Sequence, residues 1–167
     1  MKKILIFVAL TWMFLMVGCT KNTQVNKVLQ WSNKAPDSML WNDAVNYCKN
    51  LNEGGHNDWK LPNIDELRTL IKNCPKTENG GECKVSENGH CLSHERCQQT
   101  SSCFCELKEN NNGYYSKIGD DDNVGLLSSS VMSDDSNRAW YVSFGSGGIA
   151  PAYKAIFGQV RCVRNAE

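Results

Sequence analysis

Nine cysteines in a chain of 167 residues constrain this sequence more than any other feature. In a reducing cytosol so many thiols would be a liability, whereas in an oxidising compartment they pair and define a scaffold. Nine is odd, so one cysteine has to stand apart from the pairing. The length suits one domain with a modest core and a short appendage. Hydrophobic residues make up 41% and charged ones 22%, ordinary for a folded domain, which argues against wholesale disorder. The 18 basic and 18 acidic side chains cancel. Nucleic acid is therefore not expected as a partner.

The N-terminus identifies the odd cysteine. Met1-Lys2-Lys3 is a short basic segment, and Ile4 to Val17 is an apolar run of 14 residues broken only by Thr11. That suits the apolar stretch of a signal peptide and is short for a spanning helix of about 20 residues. The run ends in Leu15-Met16-Val17-Gly18-Cys19, which resembles the lipobox of bacterial lipoproteins, with Met16 where the box usually has Leu. The resemblance implies cleavage before Cys19 and a diacylglycerol on its thiol. Residues 1–18 are then a signal peptide, residues 19–27 a polar lipidated tether, and residues 28–167 the folded domain. Thr20 is not the Asp that such a resemblance links with inner-membrane retention. The expectation is an exported protein, lipid-anchored in the cell envelope, outer membrane favoured, touching the membrane through its lipid. Loss of Lys2 and Lys3 leaves 16 basic against 18 acidic side chains, a mature charge of −2.

Eight cysteines remain: Cys48, Cys74, Cys83, Cys91, Cys97, Cys103, Cys105 and Cys162. Four disulfides are the simplest expectation, among on the order of 100 pairings. Trp41, Ala44, Val45, Cys48 and Leu51 recur at helical intervals, with Asp37 or Ser38 as cap and Gly54-Gly55 as stop. Asn63 and Glu66 make a capping box for a second helix, whose stripe is Ile64, Leu67, Leu70 and Ile71. Six cysteines then fall within residues 74–105 among small and polar residues. Such a segment is expected to be a disulfide-knitted loop. Read as zinc ligands, Cys103, Cys105, His90 and His94 lack a paired C-x-x-C arrangement, so bridges are favoured and no metal or cofactor is expected. Strands are predicted at Val28–Trp31, Tyr114–Ser116, Gly125–Ser130, Ala139–Phe144, Ile149–Lys154 and Val160–Arg164. Two helices followed by antiparallel strands give an α+β fold.

Trp41-x-x-Ala44-x-x-Tyr47-Cys48-x-x-Leu51 and Gly54-Gly55-x-x-Asp58-Trp59-Lys60-Leu61-Pro62-Asn63-x-x-Glu66-Leu67 resemble the first half of the Lcl-type C-terminal domain family of bacterial exported domains. Ser128-Ser129-Ser130, Ala139-Trp140-x-Val142-x-Phe144-x-x-Gly147 and Val160-Arg161-Cys162-Val163-Arg164 resemble its second half. The resemblance covers about residues 28–165. Leu127 stands where the family usually has an aromatic, and the cysteine-rich segment is an insertion. The family resembles C-type-lectin-like folds, which implies two helices packed on short antiparallel strands. In such a fold the first helix packs beside the last strand, which implies a Cys48–Cys162 bridge and pairing of the other six cysteines within the insertion. Family members include surface adhesins, which implies a ligand-binding or adhesive role with polysaccharide or a surface protein as ligand.

The residues admit other readings. The Asp58–Pro62 element suits a structural role, with Trp59 and Leu61 turned inward. Trp41-Asn42-Asp43 suits a helix first turn, with Asp43 near the positive end of the dipole. Asp120-Asp121-Asp122-Asn123 offers oxygen ligands for Ca²⁺ but lacks EF-hand spacing. His56, His90, His94 and Ser128–Ser130 do not make up a catalytic set, so no enzyme is expected. The rival is a copper-dependent oxidase of the formylglycine-generating type, which shares the fold and uses late cysteines; Cys162 is the only late cysteine here. A third reading is a structural envelope protein without soluble ligand. The expected contact surface is the polar loops: the insertion, Asn110–Gly113 and Asp120–Asn123.

Overall fold

The two ends of the domain pair with each other. In the computed structural model, which describes residues 28–98, 102–108, 113–119 and 125–166, β1 (Leu29–Lys34) lies antiparallel to β5 (Arg161–Asn165). Leu29 stands opposite Asn165 and Trp31 opposite Val163, and a register shift precedes the Lys34–Arg161 pair. Cys19 with its tether, Asn110–Asn112 and Asp120–Asn123 lie outside the described residues.

Between these ends run α1 (Trp41–Asn50), α2 (Ile64–Arg68), α3 (His94–Cys97), β2 (Leu126–Val131), β3 (Arg138–Ser143) and β4 (Gly148–Tyr153). β2, β3 and β4 form an antiparallel sheet in that order. Mixed helices and antiparallel sheets make the fold α+β. Alternation turns Trp140 and Val142 of β3 into the core, where both are fully buried beside Leu126, Phe144 and Ile149. Trp140 Nε1 donates to Leu92 O at 3.1 Å, tying the sheet to the cysteine-rich segment.

α1 buries Ala44 and Cys48 along its apolar stripe. Its start differs from the expectation: neither Asp37 nor Ser38 caps it, and Leu40 occupies the N-cap without a side-chain bond. Long-range contacts fix that end instead. Trp41 N donates to Lys154 O and Trp41 Nε1 to Ser128 O, while Ser38 Oγ accepts from Gln159 Nε2.

α2 has the full capping box, with Glu66 N donating to Asn63 Oδ1 and Asn63 N to Glu66 Oε2, both at 2.8 Å. The helix ends at Arg68, short of Leu70 and Ile71, because the next backbone bonds tighten to Leu67 O and Arg68 O. Leu70 and Ile71 still bury in the core. Residues Tyr114–Ser116, expected as a strand, form a turn closed by Ser116 N to Gly113 O; only Ser116 bridges, to Ile71. Gly113 and Gly119, with φ of +70° and +75°, impose that turn.

The insertion is knitted by three disulfides, Cys74–Cys105, Cys83–Cys103 and Cys91–Cys97. It is also more than a loop laid on the surface. Cys83, Val85, Cys97 and Cys103 are buried and continuous with the main core, and α3 is a short helix that hydrophobic periodicity gave no sign of. Arg68 organises its backbone. The guanidinium is buried and donates to the carbonyls of Thr77, Val85, Glu78 and Cys83. Burial lowers its pKa, partly offset by Asp65.

Candidate functional site

Most residues that the sequence marks for chemistry serve the scaffold. Cys48 and Cys162 form a disulfide that joins α1 to β5 across 114 positions. All eight cysteines among the described residues are bridged. Ser128 Oγ donates to Trp140 O. Ser130 Oγ accepts from Ile64 N at 2.9 Å and donates to Glu87. His56 closes the Glu53–His56 turn and offers its carbonyl to Trp59 Nε1. His90 sits in an exposed turn at φ 54°, and His94 opens α3. These histidines lie on separate segments, and among the described residues no three His, Cys, Asp or Glu side chains gather as metal ligands.

The Asp58–Pro62 element is likewise structural. Trp59 and Leu61 are buried, and Lys60 exchanges two backbone bonds with Val163. Lys60 Nζ pairs with Glu66 at 2.7 Å, and Pro62 O accepts from Ser129 N at 2.7 Å. Asp58 accepts from the buried Arg164 at 2.7 Å, and that bond draws its pKa below the ordinary 3.8. At α3, Asp134 accepts from Ser93 Oγ and from the backbone of His94 and Glu95. These bonds, the one from Ser93 first, lower its pKa to about 2.

The feature without a structural explanation is a groove of about 390 Å³ beside the three-stranded sheet, lined by residues of β2, β3 and β4 and of the turn after β4. Alternation along β3 turns Tyr141 outward, and Leu127 stands directly across from it on β2. These two form the floor with Ala152 of β4, which shares their face, and Pro151, the partner of Trp140, joins the lining along the edge strand. Tyr153, Ile156 and Phe157 form the rim and are 49%, 54% and 63% exposed. Large apolar groups left in water at one place mark a contact surface more often than a random scatter does.

Glycines shape the walls. A Cβ at Gly125 would stand 2.1 Å from Tyr141 Cδ2, and one at Gly158 would stand 2.6 Å from Leu127 Cδ2. Only glycine lets the chain run this close to the floor at these two points. Leu127, the position where the family resemblance expects an aromatic, is therefore part of this floor.

Arg138 holds one ring of the rim. The Arg138 guanidinium lies 4.2 Å from the Tyr153 ring centroid and donates to the Tyr153 hydroxyl, while its Nε pairs with Asp135 at 3.1 Å. Lys154 Nζ lies 4.2 Å over the Trp41 ring. No charged residue of either sign lines the groove. Sequence reasoning missed this site because its parts come from residues 125–127, 141 and 151–158. The only local signal was the apolar pair Ile156-Phe157 in a turn, where polar residues are the rule.

The sequence model of the Lcl C-terminal domain family matches residues 21–164, so the chain belongs to that family. No curated protein matches it. Among the described residues no helix is long and apolar enough to cross a membrane. A disulfide-rich domain of this family is of the exported type.

Proposed function

We propose that this member of the Lcl C-terminal domain family is a ligand-binding or adhesive module of the bacterial cell envelope, held there by lipid on Cys19, with no catalysis. The scaffold is C-type-lectin-like, a reading supported by two sheets, peripheral helices and the bridge from first helix to last strand. The observation that carries the proposal is the groove, whose rim leaves the apolar Ile156 and Phe157 in solvent beside Tyr153. The ligand is a polysaccharide or a surface protein. The lipobox and the four bridges support an exported location, the outer membrane in a cell with two membranes.

The copper-dependent oxidase is the rival from a different class. It needs Cys162 as a thiolate, and a sulfur engaged with Cys48 is not available as one. Binding of the mature chain to arrayed glycans, surface proteins and whole cells tests the proposal. Saturable binding to one of them is expected. Silence on all three would replace it with a purely structural envelope role.

A further inference from the structure

We infer that a second, polar pocket, where α2 meets the insertion and the paired ends of β1 and β5, binds an uncharged sugar through its hydroxyls. This deepens the binding-module reading and rests on it, at a site that shares no lining residue with the groove.

The pocket has a volume of about 410 Å³, within the range of small-ligand sites. Three segments build it. Asn63 and Asp65 come from the start of α2, Asn79 and Asn88 from the insertion, and Asn165 from the end of β5, opposite Leu29. Asp65 fastens the first two segments together. Its Oδ2 accepts from Asn88 N at 2.8 Å, and its carbonyl accepts from Asn79 Nδ2 at 3.2 Å. Arg68 holds the carbonyl of Glu78 beside Asn79, and the Cys74–Cys105 and Cys83–Cys103 bridges keep that segment in place. The walls are therefore set before a ligand arrives, which lowers the ordering cost of binding.

Asp65 carries the assignment. It is 9% exposed, yet its Oδ1 has no hydrogen-bond partner among the described residues. That oxygen is not sealed in the core either, so it opens on the pocket that the residue lines. A carboxylate oxygen held this deep is a strong acceptor for any hydroxyl that reaches it. Among the described residues, the side chains of Asn88 and Asn165, Asn63 Nδ2 and Asn79 Oδ1 are likewise left without a partner. An amide both donates and accepts, so the pocket offers fixed donors and acceptors side by side.

This mixture selects the ligand. Each sugar hydroxyl both donates and accepts, and it loses water on binding, so it needs both kinds of partner at once. Charge disfavours the other classes. Lys60, the one cation of the lining, already pairs with Glu66 at 2.7 Å, so a sulfate would meet two carboxylates against one engaged ammonium. A bare metal ion would find one free carboxylate oxygen and that same ammonium. An apolar side chain would cover Asp65 Oδ1 and leave it without a partner.

NMR titration of the mature full-length chain in detergent tests this, with the side-chain amides of Asn79, Asn88 and Asn165 as reporters. The probes are tetrasaccharides of glucose, mannose, galactose and N-acetylglucosamine, a sulfated form of each, and CaCl₂ alone. Saturable shifts of these amides with at least one uncharged sugar are expected, its sulfated form binding at least tenfold more weakly. Asp65→Asn is expected to weaken binding at least tenfold. Asn165→Ala, whose side chain holds nothing in the fold, is expected to weaken it about threefold at an unchanged melting temperature. The inference falls if no sugar saturates, if the sulfated forms bind more tightly, or if affinity ignores both variants. It also falls if Ca²⁺ alone moves the same amides, which would make this a cation site. Sugar-induced shifts confined to Tyr153, Ile156 and Phe157 would remove this site and leave the binding-module reading standing. Saturable binding of a surface protein without any sugar binding would do the same.

Discussion

Arg164 Nε donates to Asp58 Oδ1 at 2.7 Å, joining the last strand to the segment that leads into α2, 106 residues earlier. The partners are unequally placed: Arg164 is 4% exposed at its side chain and Asp58 is 54% exposed. Arg164 Nη1 also donates to Gln30 on β1. One buried guanidinium thus links the domain's first strand, its last strand and the Asp58–Pro62 segment. Its removal costs more than an exposed ion pair would. Arg164→Ala is expected to lower stability by about 2 kcal/mol, measured by urea denaturation.

The same contact makes stability depend on acid. Asp58 has a folded pKa below its unfolded value, chiefly through the bond from Arg164. Its contribution is therefore present above the unfolded pKa and is lost as pH falls through the folded one. Asp58→Asn is expected to flatten the decline of melting temperature below pH 4. An unchanged slope would assign acid sensitivity to other carboxylates.

Asp134 gives a sharper acid-side signature. Its pKa of about 2 reflects the bonds that hold the start of α3. Stabilisation of α3 persists through pH 4 and fades only as pH approaches 2. A carboxyl NMR titration midpoint near 2, together with faster amide exchange over residues 94–98 in Asp134→Asn, is the expected result.

Arg68 makes the insertion depend on more than sulfur. Arg68→Met removes the donor shared by four carbonyls. The expected loss is about 3 kcal/mol. Amide exchange should rise over residues 76–86 while all four disulfides still form. A uniform rise over the whole domain would show instead that α2 fails with it.

The Cys48–Cys162 bridge closes the longest loop of the four bridges among the described residues. By loss of unfolded-chain entropy it contributes about 5 kcal/mol. Domains of this size have roughly 5–15 kcal/mol in total. Cys48→Ala with Cys162→Ala is expected to lose about 4 kcal/mol by denaturant titration and to leave the domain marginal at 37 °C.

What was legible in the sequence was local or periodic. The α1 stripe ending on Cys48, the Asn63–Glu66 capping box and the β2 to β5 strands follow from spacing, with ends displaced by a residue. The α1 cap was not legible, because Trp41 is held by Ser128 and Lys154 from distant strands. The role of Arg68 was not legible either, because its carbonyl partners lie in the insertion that folds over it. The groove was invisible for the same reason, since Leu127, Tyr141 and Phe157 meet only after β2, β3 and β4 pair. Expectation placed the contact surface in polar loops. Of these, Asn110–Asn112 and Asp120–Asn123 fall outside the described residues, and the insertion is largely committed to its own bridges and to Arg68.

Mass spectrometry of the non-reduced native protein tests the central claim most directly, that this is a disulfide-locked binding scaffold on a lipid anchor. The expected map pairs Cys48 with Cys162, Cys74 with Cys105, Cys83 with Cys103 and Cys91 with Cys97. It leaves no free thiol and shows a diacylglycerol adduct on an N-terminal Cys19. A reduced Cys162, or Cys48 joined to any insertion cysteine, would contradict the scaffold and reopen the oxidase.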